Sequence, residues 1–175
     1  MVRYADDMVF TFQYRSQAER FYGVLPKRLS KYGLELHKDK SQILVAGSSA
    51  AQKAKTSRNK LKTFKFLGFT CYWGKARNGR YRLKFTSCKD RFSAKLKGMR
   101  TFLTNNLNAK SKNEILLAVI RVVRGWINYH SISDNKHSIS QFLEKSKYLI
   151  YKWLDRRGGK KYVTLKCPPL SRPIF

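Results

Sequence analysis

The chain has 175 residues, 42% of them hydrophobic, and carries 38 lysines and arginines against ten acids, a net charge of +28. That hydrophobic share argues against a disordered chain, and the length suffices for one domain or two small ones. An excess of this size opposes a compact state by self-repulsion unless a polyanion neutralises it, so nucleic acid is the expected partner.

Cys71, Cys88 and Cys167 are odd in number and widely spaced, which excludes a Cys-x-x-Cys zinc site and a disulfide framework. Reduced thiols of an intracellular protein are the expected state. No apolar run approaches the ~18–20 residues of a membrane span, and no signal peptide is visible. The expected location is intracellular, without secretion or a membrane.

The first predicted element is a hairpin. Val2-Arg3-Tyr4 and Met8-Val9-Phe10-Thr11-Phe12 both read as strands, and the Asp6-Asp7 pair between them suits a turn. Adjacent carboxylates repel unless a cation lies between them. A pair at a hairpin tip can therefore serve Mg²⁺, in chemistry that holds two ions about 3.5–4 Å apart.

Ser16-Gln17-Ala18-Glu19 predicts a capping box opening a helix. Ala18, Phe21, Tyr22, Leu25, Leu29 and Tyr32 give it one buried face. Pro26 should kink or split it, and Gly33 should close it. The following segment leads into a predicted strand over Gln42–Ala46, and His37 has no assigned role. Residues 47–62 lack an apolar period and read as a mobile connector. Between Lys40 and Lys89 there is no acid, yet seven aromatic residues interleave the cations, which favours folded, phosphate-facing structure.

Phe64–Phe69 reads as one strand whose Gly68 marks close approach by another backbone. Asn78-Gly79 is a strong type I′ turn signal. Counting outward from it pairs Ala76 with Tyr81, Gly74 with Leu83 and Tyr72 with Phe85 on an apolar side. The other side then collects Lys75, Arg77, Arg80, Arg82 and Lys84 with Trp73. Like charges opposed across a sheet are destabilising, so such a face makes sense against a phosphate backbone.

Three helices follow. Phe92, Leu96, Met99, Leu103 and Leu107 form a stripe on the first. Ser111 and Glu114 form a capping box for the second, which is apolar nearly all round and is expected at the centre of a bundle. The third sets Ile139, Phe142, Leu143, Leu149, Ile150, Trp153 and Leu154 on one side. Its outer face is expected to be cationic, with Lys145, Lys147, Lys152, Arg156 and Arg157. Gly158-Gly159 should end it before an extended tail.

Four segments carry a family resemblance, one of them Gly33-Leu34-Glu35-Leu36 followed by Lys40, which resembles the Gly-Leu-x-Leu segment and lysine of a reverse-transcriptase motif. Tyr4-Ala5-Asp6-Asp7 resembles the Tyr-x-Asp-Asp motif of reverse transcriptases, in the form found in group II intron-encoded proteins. Phe66-Leu67-Gly68-Phe69 resembles their Phe-Leu-Gly-Phe strand, and Arg124-Gly125-Trp126-Ile127-Asn128-Tyr129 the hallmark of their maturase domain. The likeness implies Asp6 as a shared ligand of two catalytic Mg²⁺ ions, Asp7 as its neighbour, Tyr4 under the primer end and Lys40 near nucleotide phosphates. Trp126 would be a core plug, Gly125 a site of close helix packing, Asn128 a cap, and Arg124 a contact to RNA. The family also needs an aspartate on an upstream strand, whereas the motif here begins just after Met1. The expected reading is the C-terminal part of a larger protein, or a truncated copy.

The implied fold is α+β. A partial palm of short antiparallel strands and one helix (1–70) leads through a basic hairpin and first thumb helix (71–110) to a maturase-type helical region (111–160) and an extended tail (161–175). The implied function is binding of structured intron RNA and help with its splicing, by contacts of Lys40, Lys75, Arg77, Arg80, Arg82, Lys84, Arg124, Lys152, Arg156 and Arg157. The resemblance leaves a DNA primer or target open as a further partner. RNA-directed DNA synthesis, with Mg²⁺ in a complete site, belongs by this reading to a full-length protein. The alternative is a basic protein that binds RNA without selectivity.

Overall fold

A computed structural model describes residues 1–106, 108 and 111–158. The expectations for Leu107, Gly159, Cys167 and the tail lie outside these residues. The described chain is α+β, as expected, with five α-helices and two small antiparallel sheets. It divides into two units, residues 1–85 and 86–175.

In the first unit, strands β1 (Val2–Tyr4) and β2 (Asp7–Val9) pair Val2 with Val9, Arg3 with Met8 and Tyr4 with Asp7. Phe10 and Phe12 lay their rings on Phe21, at 4.5 and 5.2 Å between centroids, and so tie the hairpin to helix α1 (Arg15–Ser30). The helix half-buries Ala18, Phe21, Tyr22, Leu25 and Leu29 as the spacing predicts, while Tyr32 stays exposed under the Arg28 guanidinium. The capping box is not formed. The helix starts two residues early, so Ser16 falls inside its first turn and Glu19 is drawn to Arg15, 2.7 Å away. Pro26 does not split the helix. Gly33 closes it at φ +68°, with Gly33 N–H bonded to Ser30 and Leu34 N–H to Leu29, the paired bonds of a Schellman turn.

Two expectations fail next. The Gln42–Ala46 segment forms no strand; a 3₁₀ turn over Lys38–Lys40 precedes it, and Ile43 and Val45 face solvent without a neighbouring strand. The connector contains a helix, α2 (Ser48–Thr56), which buries Ala51 and packs on strand β4 (Phe69–Lys75). Alanine has the best helix propensity, but its small side chain hides the apolar period.

Phe64–Phe69 is likewise not one strand. Strand β3 (Phe64–Phe66) turns back at Leu67 and Gly68, with φ of +48° and +80°, so that Phe66 pairs with Phe69 on β4. Positive φ at both central residues is a type I′ signature, here with leucine in the strained position.

The sheet continues to strand β5 (Tyr81–Ser87). Its turn is one residue longer than the sequence count assumes. Gly79 N–H bonds Ala76 O (3.1 Å) and Ala76 N–H bonds Arg80 O (2.8 Å), with Gly79 at φ +80°. This is the three-residue loop with a glycine bulge. The extra residue exchanges the faces of β5 against β4. Cys71 and Trp73 therefore share the covered side with Tyr81, Leu83 and Phe85. Tyr72 and Gly74 share the other side with Arg82 and Lys84. A Cβ at Gly74 would stand 2.7 Å from Lys84 Cδ, so the lysine chain lies across this glycine.

In the second unit, helix α5 (Lys136–Gly158) packs against both α3 (Lys89–Asn105) and α4 (Lys112–His130), and is the central helix. The sequence placed α4 there. Instead, α4 buries Ile115, Val119, Trp126 and His130 along one face and turns Leu117, Ile120, Arg121, Arg124 and Asn128 outward. Its capping box is formed by both bonds between Ser111 and Glu114. Trp126 is a core plug as expected, stacked on Phe142 at 4.7 Å and on His130 at 3.8 Å. Gly125 is not a close-packing site: a Cβ there would meet nothing within 4 Å. The helix ends at Ser131 rather than on an Asn128 cap.

Asn135, unremarked in the sequence, is 1% exposed and saturated. Its Oδ1 accepts from Ser87 N–H (2.9 Å) and Thr86 Oγ1 (3.3 Å), and its Nδ2 donates to Ser87 Oγ (2.8 Å) and His130 O (3.0 Å). One amide thus ties Thr86 and Ser87 to the α4–α5 connection.

His130 is buried, and its Nδ1–H donates to Trp126 O at 3.1 Å. Burial lowers its pKa below the ordinary 6.5; the backbone bond opposes the shift and Arg91 adds to it. The unfolded chain therefore binds this proton more readily. Its contribution to stability should be complete above pH ~6.5 and be lost as pH falls from there through the lowered folded value, by up to about 1.4 kcal/mol per pH unit. Thermal melts of wild type and His130→Gln at several pH values check this; identical pH profiles would remove His130 as the cause.

Candidate nucleic-acid interface

The acidic hairpin forms where it was predicted, with a different division of roles. Asp6 occupies the turn beside Ala5, whose φ is +49°, whereas Asp7 begins β2 opposite Tyr4. Arg3 Nε–H donates to Ala5 O at 3.0 Å and braces the turn. Asp6, Asp7 and Tyr4 are all exposed. Among the described residues no third His, Cys, Asp or Glu gathers with the two carboxylates. Two adjacent acids alone do not fit a two-metal centre.

The predicted cations fall into separate groups. Arg82 and Lys84 share a sheet face with Tyr72. Lys75 belongs to the opposite face, Arg77 lies in the loop and Arg80 follows it; the single five-cation face of the sequence count is not present, because the bulge shifts the register. Lys75 and Arg80 instead meet α2 across an open cleft of about 520 Å³, lined also by Ser48, Gln52, Lys55, Thr56, Gly79 and Tyr81. No acid lines it.

In the helical unit, Lys152 and Arg156 of α5 line a smaller groove of about 120 Å³ with Arg100 and Thr104 of α3. Tyr148, 60% exposed, stands at the same groove, whose floor includes Leu103, Leu149 and Trp153. Arg157, expected on the outer face, is half-buried and folds its guanidinium over the Trp153 ring at 5.3 Å. Lys145 lies over Phe92 at 5.3 Å. Arg124 is exposed on the outward face of α4, and Lys40 is exposed on its 3₁₀ turn.

Sequence reasoning missed Lys55, Arg100 and Tyr148. Arg100 was legible: it follows Met99 on α3 and precedes Leu103 by three, so it borders the buried stripe. Lys55 was not, because the helix that carries it went unread.

Comparison with known families follows the same division. Residues 1–71 match the family model of reverse transcriptase (RNA-dependent DNA polymerase), and residues 90–166 match that of the group II intron maturase-specific domain. No curated protein and no solved structure matches the chain. With the reverse-transcriptase segment followed by the maturase domain, the chain belongs to the group II intron reverse transcriptase/maturases, matching their C-terminal part.

Proposed function

We propose that this chain binds folded group II intron RNA and assists splicing by holding the RNA backbone, with no chemistry of its own. The observation that carries the reading is the groove of the maturase-matched helices. Arg100, Lys152 and Arg156 converge there, beside an exposed Tyr148 and without a carboxylate in the lining. Cations of fixed spacing neutralise phosphates, and an adjacent ring can take an unstacked base. Lys40, Arg82, Lys84 and Arg124 add exposed or partly exposed positive charge. Asp6 and Asp7 take part in Mg²⁺-dependent DNA synthesis only where a further acid completes the centre.

Competition filter binding tests the reading. A labelled group II intron RNA should resist competition by a structured RNA of equal size at least about tenfold better than by itself in unlabelled form, a difference near 1.4 kcal/mol. Equal competition by both would leave only unselective binding to RNA.

A further inference from the structure

We infer that the cleft between α2 and the β4–β5 loop is a binding site for a single unpaired RNA strand, with phosphates held by Lys55, Lys75 and Arg80 and a base against Tyr81. The inference rests on the RNA-binding reading, but assigns a separate site to a segment that the sequence marks only as a linker.

The lining carries the argument. Three cations come from two elements, α2 and the hairpin, and converge on one concavity with no acid among its walls. Ser48, Thr56 and Gln52 add neutral donors of the kind that bond phosphate oxygens and ribose hydroxyls. Tyr81 is half-buried, so its ring is held by the sheet while one side borders the cleft. Gly79, at φ +80°, supplies the left-handed turn of the loop at the cleft's edge.

Size and shape select the ligand class. A cleft of about 520 Å³ lies in the ~300–1,000 Å³ range of small-ligand sites, enough for a nucleotide or two but not for a duplex. Duplex RNA is recognised by shape across a wide shallow groove, whereas a single strand presents unstacked bases to aromatic side chains. Cationic grooves with an aromatic platform bind such strands with little sequence preference.

The test uses the full chain and fluorescence anisotropy with a labelled oligouridylate, a blunt RNA duplex of the same length, and tripolyphosphate as competitor. Lys55→Ala/Lys75→Ala should weaken the single strand about tenfold or more and lower its log–log salt slope by roughly 1.4, at about 0.7 per phosphate. Duplex affinity should change less than about twofold. Tyr81→Leu should weaken the strand about tenfold with an unchanged slope, in the range of one base stack, and Tyr81→Phe should restore it. Equal losses for strand and duplex, or a Tyr81→Leu protein that binds the strand normally, would overturn the site. So would competition by tripolyphosphate alone that is as strong as competition by unlabelled strand. None of these outcomes touches the intron-selectivity measurement, so failure here and failure of the general function are told apart.

Discussion

Phe142→Ala should destabilise the helical unit by about 3–5 kcal/mol, the range for removing a buried aromatic ring from a core. Phe142 is 0% exposed and lies on the central helix. Its ring stacks on Trp126 at 4.7 Å and meets Phe92 edge-on at 5.5 Å. Each aromatic pair contributes about 0.5–1.5 kcal/mol beyond area burial, so the loss exceeds that of an isolated hydrophobe. A natural domain has only about 5–15 kcal/mol in total, so the variant should sit near its unfolding threshold. Urea titration followed by tryptophan fluorescence measures the change. A shift worth less than about 1 kcal/mol would mean that Met99, Leu103, Ile115 and Val119, not the aromatic cluster, hold the three helices together.

The second large effect is electrostatic. RNA affinity of the whole chain should fall by roughly 10³-fold or more between 50 and 200 mM salt, as for proteins that neutralise 6–10 phosphates. Replacing Arg100, Lys152 and Arg156 together by alanine should lower the log–log slope by about 2.1–2.7, at about 0.7–0.9 per lost phosphate contact. Lys27, Lys31 and Lys38 are equally exposed cations outside both clefts, and their triple alanine variant supplies the charge-matched control. Similar slopes for the two triple variants would show that net charge alone binds the RNA. The groove would then have no particular role.

Much of this architecture was readable from residues. The acidic hairpin, the single face of α1, the Gly33 stop, the α4 capping box and the Trp126 plug each depend on short-range rules that act within a few residues. What escaped depended on something the local pattern does not hold. The helix α2 is built from alanine and serine, so its buried side leaves no hydrophobic period. Leu67 takes a left-handed conformation that leucine avoids, which disguised a turn as a strand. The Asn78-Gly79 signal was right about a turn and wrong by one residue about its length, and one residue is enough to move every side chain of β5 to the other face. The role of α4 was misjudged because an all-round apolar helix was taken to be central, whereas the long α5 holds that place and leaves Leu117 and Ile120 in solvent. Asn135 carries no local signal at all: its partners lie 49, 48 and five residues away.

The missing side chain at Gly74 has a consequence for the lysine above it. Lys84 passes over the notch with its Cδ 2.7 Å from the point a β-carbon would occupy, and its chain is half-buried. An ordinary surface lysine sweeps a wide arc, and stilling it costs up to about 2 kcal/mol of rotamer entropy. A β-carbon at position 74 would push that chain out of the notch, so Gly74→Ala should leave Lys84 with more freedom to lose when a phosphate binds.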